Sequence, residues 1–156
     1  MIQDLFQVEH PILVSPVAEN IADVIKGAKA GDGIIRNRKI DVSKKDSYDM
    51  RNLSFIECDF SNSDINSINF MGSYFMKCNF HKCGASGVIF TWCEFNECDF
   101  SQSDLRHSEI QEADIKDCNF TGANLTKSDI RATSFRNCNF DKANQSELKN
   151  EGATFN

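Results

Sequence analysis

The sequence is poor in the groups that most site chemistry requires. It has three His, no Cys-x-x-Cys pair and no cluster of cysteine with histidine. A metal centre, which needs thiolates or imidazoles converging at tetrahedral spacing, is therefore not expected, and no cofactor motif suggests another bound group. Lys and Arg number 17 against 23 Asp and Glu, a formal charge of −6, and no basic cluster stands out. That balance argues against direct nucleic-acid binding, because phosphate recognition needs gathered cations. No stretch approaches the ~18 apolar residues of a membrane span, and Met1-Ile2-Gln3-Asp4 lacks the basic start of a secretory signal. The expectation is a cytoplasmic chain, with secretion by a signal-independent route as the alternative. Tyrosine and tryptophan are scarce as well, two and one against 13 Phe. Seven cysteines without an export signal are read as free thiols rather than a disulfide framework.

What the sequence does have is a period. Every fifth position from Phe55 to Phe140 is apolar, 18 in succession. Twelve of the 13 Phe fall on this lattice if Phe155 is included. We call these positions centres. Two residues before a centre lies a small or apolar residue, and all seven cysteines (Cys58, Cys78, Cys83, Cys93, Cys98, Cys118 and Cys138) occupy that phase. A period of five matches neither the 3.6 of a helix nor the 2 of a flat strand. It predicts a short strand and a corner in each pentapeptide, with four pentapeptides closing a square coil of about 20 residues whose backbone groups pair with the coils above and below.

Folded at that larger period, like residues stack. One wall reads Cys58-Asp59-Phe60, Cys78-Asn79-Phe80, Cys98-Asp99-Phe100, Cys118-Asn119-Phe120 and Cys138-Asn139-Phe140. The 18 repeats predict about 4.5 coils, a prism roughly 22 Å long at the spacing of paired strands. Triplets such as Ala123-Asn124-Leu125 and Ser103-Asp104-Leu105 give the pattern A(D/N)LXX, which resembles the pentapeptide-repeat family from Leu53 to Phe140 and more loosely from Ala143 to Phe155, where Gln145 and Asn150 stand at centres. The resemblance implies a right-handed, four-sided parallel β-helix, a general lack of catalysis and a role in protein binding. The best understood relatives imitate DNA and protect gyrase or topoisomerase from quinolones or toxins; others are secreted effectors. Gyrase-protecting relatives finish with a helix that joins two prisms end to end, which makes an end-to-end homodimer a further expectation.

Residues 1–50 are expected to cap the solenoid and residues 51–156 to form it. Ser15-Pro16 followed by Val17, Ile21, Val24, Ile25 and Ala28 predicts a helix over 16–30, with Ser15 as N-cap and Gly31 just beyond the end. Such a helix would cover the apolar centres and unpaired strand edges of a terminal coil. Ile34, Ile35, Ile40 and Val42 are expected in an initial strand or irregular coil.

Few residues remain as candidates for chemistry. The inward cysteines are expected to pack as small apolar side chains. Asp59, Asp64, Asp99, Asp104, Asp114 and Asp129 each precede a centre and are expected to bond corner backbone or face solvent. From Arg51 to Phe140 there are 12 acids and 8 bases, net −4, a weak charge for a DNA mimic. The coil geometry instead gathers Met71, Tyr74, Met76 and Trp92 around one corner, with Ile89 close by. These side-chain types suit a protein-binding surface, unless the N-terminal segment covers them. Gly84-Ala85-Ser86-Gly87 interrupts the run of large centres and is expected either to bulge or to accept a smaller side chain.

Overall fold

The computed structural model describes residues 20–42 and 48–156. It is a parallel β-solenoid entered through one helix, α1 (Ile21–Ala30). Seven short strands stack in chain order on one wall: β1 (Ile34–Arg36), β2 (Ser54–Ile56), β3 (Tyr74–Met76), β4 (Glu94–Asn96), β5 (Asp114–Lys116), β6 (Ser134–Arg136) and β7 (Thr154–Phe155). Each pairs with the next at an offset of 20 residues, as in Phe55↔Phe75 and Phe75↔Phe95. The other three walls are laddered by single bridges at the residue before the centre, such as Asp59↔Asn79, Asp64↔Gly84 and Asn69↔Ile89. Bridge residues both give and take: Asn79 N–H donates to the Cys58 carbonyl at 2.9 Å, and Phe60 N–H donates to the Asn79 carbonyl at 2.7 Å. A strand too short to stand alone is thus held between two copies of itself.

Corners follow the same period. The residue two past the centre has positive φ at Asn37 (50°) and at every corner from Asn52 to Gly152 (73°). On three corners the next N–H closes a turn, as Ser63 does onto the Phe60 carbonyl at 3.1 Å. The Asp or Asn before the centre braces the turn from outside by accepting the N–H two residues on: Asp59 from Ser61, Asn79 from His81 and Asp99 from Ser101, each at 2.9 Å. Where Gly84 interrupts this series there is no bulge. Gly84 stays in register with Asp64 and Asp104, and Asn66 Oδ1 from the coil below takes the Ser86 N–H at 2.6 Å. The wall accepts the smaller Ala85, which is 1% exposed.

The centres fill the interior. Phe60, Phe80, Phe100, Phe120 and Phe140 form one stack with ring centroids 4.6 to 4.9 Å apart and planes within 8°. Phe55, Phe75 and Phe95 form another, and Phe70 lies over Phe90. Stack meets stack edge to face, as between Phe55 and Phe60 at 5.4 Å and 67°. The coil rise matches aromatic stacking distance, so each ring meets a stacked face along the axis and an edge across it.

Two expectations about the N-terminal side are corrected. The helix starts at Ile21, not near residue 16, because Asn20 is extended (ψ 119°) and its side chain caps the helix by accepting the Ala22 N–H at 3.0 Å. Ser15, Pro16 and Val17 lie outside the described residues. The solenoid begins at Ile34 rather than near residue 51: β1 pairs with β2, Lys39 bridges Asp59, and Ile35, Ile40 and Met50 are fully buried centres of an extra coil. The α1 face made by Ile21, Ile25 and Ala28 joins the same core and closes that end, as expected of a cap. At the other end β7 leaves Phe155 48% exposed although it stacks on Phe135 at 5.0 Å.

Candidate functional site

The inward position two before each centre does more than pack. Where it is Ser, Thr or Cys the side chain carries a donor, and in nine cases that donor reaches the carbonyl 23 residues back, on the coil below. Ser63 Oγ donates to Ile40 and Ser73 Oγ to Met50, both at 2.8 Å; Ser128 Oγ donates to Leu105 at 2.6 Å and Thr133 Oγ1 to Ile110 at 2.5 Å. Cysteine does the same more weakly: Cys58 to Ile35, Cys78 to Phe55, Cys93 to Phe70, Cys98 to Phe75 and Cys138 to Ile115, over 3.1 to 3.6 Å. Ser, Thr and Cys share this position because each is small and offers one donor to an interior that otherwise has none. The pentapeptide pattern showed the size preference; the acceptor, a coil away, was out of its reach.

Three of these thiols are poor nucleophiles. Burial pushes Cys83 and Cys93 up to about 12 and holds Cys98 well above the ordinary thiol range. Cys138, nearest the open end, is the least covered. On the outer side of the same wall His81 Nδ1 lies 2.8 Å from Ser101 Oγ. The Asp99 carboxylate accepts from Ser101 N–H and Asn119 Nδ2, and among the described residues no hydrogen bond links a carboxylate to the His81 ring. Among the described residues no three His, Cys, Asp or Glu converge as a metal site would require. His10 lies outside them.

The carboxylates are spread and largely committed. Five of the six singled out brace corners as expected: Asp59, Asp64, Asp99, Asp104 and Asp129 each accept the N–H two residues on. Asp114 instead takes the Arg136 guanidinium, at 2.5 Å. Arg106 and Arg131 fold back to pair with Asp104 and Asp129, both at 2.7 Å, and hold those carboxyls below the usual range. The Arg51 guanidinium and the Lys29 ammonium do so more strongly for Asp49. Up the prism no column stacks more than two acids in succession. In each such pair, Glu94–Asp114, Glu97–Asp117 and Glu109–Asp129, the aspartate has a cation beside it. On the cysteine wall Asp59, Asn79, Asp99 and Asn119 alternate, so like charges sit two coils apart.

The apolar corner lies between the Phe70/Phe90 wall and the strand wall. Met71 follows the centre Phe70, is half-buried, and has its N–H fixed by Asn69 Oδ1 at 2.9 Å. Gly72 turns the corner with φ 69°; one coil on, Trp92 turns the same corner with φ 60°. Its N–H donates to the Gln111 carbonyl at 3.1 Å and the residue is 56% exposed. Trp92 thus stands above a position with no side chain. Tyr74 opens β3 on the strand wall and Met76 closes it; both face outward and are half-buried, in register with Ser54 and Ile56 below and Glu94 and Asn96 above. Ile89 lies on the other wall, bridged to Asn69 and Glu109. The fold therefore brings Met71, Tyr74 and Trp92 to the corner and sets Met76 and Ile89 on its two flanks. Ile56, outward and in register with Met76, extends the apolar stripe. Sequence reading missed it, although it lies 20 residues before Met76 in the same phase. Among the described residues α1 does not lie on this corner; it sits at the coil end, where Lys29 Nζ reaches Asp49 at 2.9 Å and the Arg51 carbonyl at 3.3 Å.

Comparison with known proteins agrees with this architecture. A family model described as pentapeptide repeats (8 copies) matches residues 54–91, and one described as pentapeptide repeat region matches residues 88–156. No curated protein matches the sequence. Among solved structures the chain is similar to trypsin-treated QnrB1 R167E, a plasmid-mediated fluoroquinolone resistance protein, at 23% identity over 78% of this chain and 67% of that one, with a TM-score of 0.35. It is also similar to HetL of Nostoc sp. PCC 7120, involved in heterocyst differentiation regulation, at 14% identity over 83% and 71%, TM-score 0.43. Rfr23 of Cyanothece 51142 is 10% identical over 86% and 99%, TM-score 0.40. With the family models spanning every coil from β2 onward in a solenoid of this period, the chain belongs to the pentapeptide-repeat family.

Proposed function

We propose that this chain is a non-catalytic solenoid scaffold that binds another protein through the corner formed by Met71, Tyr74 and Trp92, flanked by Met76 and Ile89. The observation that carries the reading is Trp92. Among the described residues only Trp92 and the terminal Phe155 are large hydrophobics left exposed, and Trp92 stands mid-prism on a rigid corner. Exposed tryptophan amid methionine and tyrosine is the composition of an interaction surface, and its setting on a stacked scaffold limits the entropy lost on binding. The absence of catalysis is read from how the reactive groups are used: thiols donate into the core and carboxylates brace turns or pair with arginine. DNA mimicry finds less support, because the interspersed amides and arginines break up the continuous negative field it would need.

The test is affinity capture from lysate with wild type and with the Trp92→Ala/Tyr74→Ala double variant, both first shown to share one unfolding midpoint. Partners retained by wild type and absent from the double variant support the reading; an unchanged set of partners sinks it.

A further inference from the structure

We infer that the segment bound at the Trp92 corner is basic and amphipathic, presenting lysine or arginine beside aliphatic or aromatic side chains; this rests on the reading of that corner as a binding surface. The reason is the charge around it. Glu94 follows Trp92 by two residues and is the register partner of Tyr74. Glu112 occupies the column of Trp92 one coil on, next to the Gln111 carbonyl that accepts the Trp92 N–H. Glu109 bridges Ile89, and Glu57 follows Ile56 with its N–H on the Met76 carbonyl at 2.8 Å. All four are exposed, and among the described residues none is in an ion pair.

Their neighbours differ. Asp49 has Lys29 and Arg51, Asp114 has Arg136, Asp129 has Arg131, and Lys77 beside Met76 is turned to Glu97 at 3.9 Å. The cations nearest the corner, Arg51, Lys77, Arg131 and Arg136, are paired with other acids, and Arg36, unpaired among the described residues, lies below Ile56 at the foot of the stripe, which leaves the corner itself rimmed by carboxylates outside any ion pair. Such a rim attracts a cationic partner and speeds its encounter, and it repels an acidic one or a second copy of the same face. The chain's own residues 1–19 hold Asp4, Glu9 and Glu19 with no Lys or Arg, the wrong sign for this surface.

Trp92 is the only tryptophan, so its emission in the full chain reports the corner directly. The probes are a short helical peptide of leucine and lysine, the same peptide with glutamate for every lysine, and one that keeps lysine but replaces leucine with serine. The leucine–lysine peptide should shift Trp92 emission to the blue and bind at least about tenfold more tightly than either alternative, weakening as salt rises. Glu94→Gln with Glu112→Gln should cut that preference to about threefold or less, while Glu147→Gln, at a corner of a different wall, leaves it intact. Equal binding of the lysine and glutamate peptides, or equal loss in the Glu147→Gln control, overturns the inference. So does an indole already shielded from acrylamide in the free chain, which would place residues 1–19 or a second copy on the corner. A Trp92→Ala variant that binds labelled leucine–lysine peptide like wild type removes the binding-surface reading as well. Loss of binding in that variant together with no preference for lysine removes only the charge assignment.

Discussion

Trp92 sits where the coil demands left-handed backbone, a conformation that costs a bulky L-residue about 1 kcal/mol or more and that glycine adopts freely. The same column holds Gly72 and Gly152. Trp92→Gly is therefore expected to raise the unfolding free energy measured in urea by about 0.5 to 1 kcal/mol, while abolishing partner capture; a fall in stability would show that the indole packs onto the coil instead of projecting from it. The thiols make a second prediction at this scale. With six of the seven buried and Cys138 half-covered at the open end, Ellman's reagent should modify Cys138 first in the native protein and all seven only in denaturant. Rapid native reaction of several thiols would contradict the interior ladder. Because Ser73 and Ser128 already fill the same role, Cys98→Ser is expected to cost under about 1 kcal/mol, whereas Cys98→Leu overpacks the corner and loses the donor, costing about 1 to 3 kcal/mol.

At the scale of the element, a coil is held by the stacks that run through it. Phe120 lies between Phe100 and Phe140, both at 4.9 Å, with the edge of Phe135 at 6.0 Å, and is 1% exposed. Phe120→Ala should destabilise by about 3 to 5 kcal/mol, measured by chemical denaturation. Phe155→Ala removes a ring with one face already in solvent and should cost far less. The helix cap is tested at its apolar face: Ile25 is 6% exposed against the first coil. Ile25→Glu should lift α1 from the coil end and leave strand edges open to pairing, seen as self-association on sizing. A monomer of unchanged stability would mean that α1 contributes nothing as a cap.

For the whole molecule the two families of titrating groups act at opposite ends of the pH scale. Asp104 and Asp129 titrate lower in the fold than in the unfolded chain because Arg106 and Arg131 favour their charged forms. Their contribution is present above the unfolded carboxyl value of about 4 and is lost as pH falls through the lower folded values. Cys83 and Cys93 titrate higher in the fold, at about 12, because burial disfavours the thiolate. The unfolded chain releases those protons first, so stability declines as pH rises from about 9 towards 12. Urea midpoints across the pH range should show a plateau between these limits, and Cys83→Ser/Cys93→Ser should blunt the alkaline decline.

The five-residue lattice was legible before any coordinates because every coil repeats one environment: a centre must be apolar, the residue two before it small, and the residue two past it able to turn. Phe60 through Phe140 and the seven cysteines could be placed inside from phase alone. The first coil is masked in the sequence because Lys45 breaks the apolar series between Ile40 and Met50, and the helix start is ambiguous there because Ser15-Pro16 is as good a local opening as Asn20. Some facts belong to the stacked fold and to no single pentapeptide. The carbonyl that receives Ser63, Ser73, Ser128, Thr133 and five of the seven thiols lies 23 residues back. The cation that claims Asp114 lies 22 residues on, and the acids left unclaimed around Trp92 are defined by those pairings. Periodicity states what kind of residue each place accepts; stacking, by bringing distant residues to neighbouring coils, selects which donors, acceptors and charges meet, and so leaves one apolar corner and its four carboxylates facing outward.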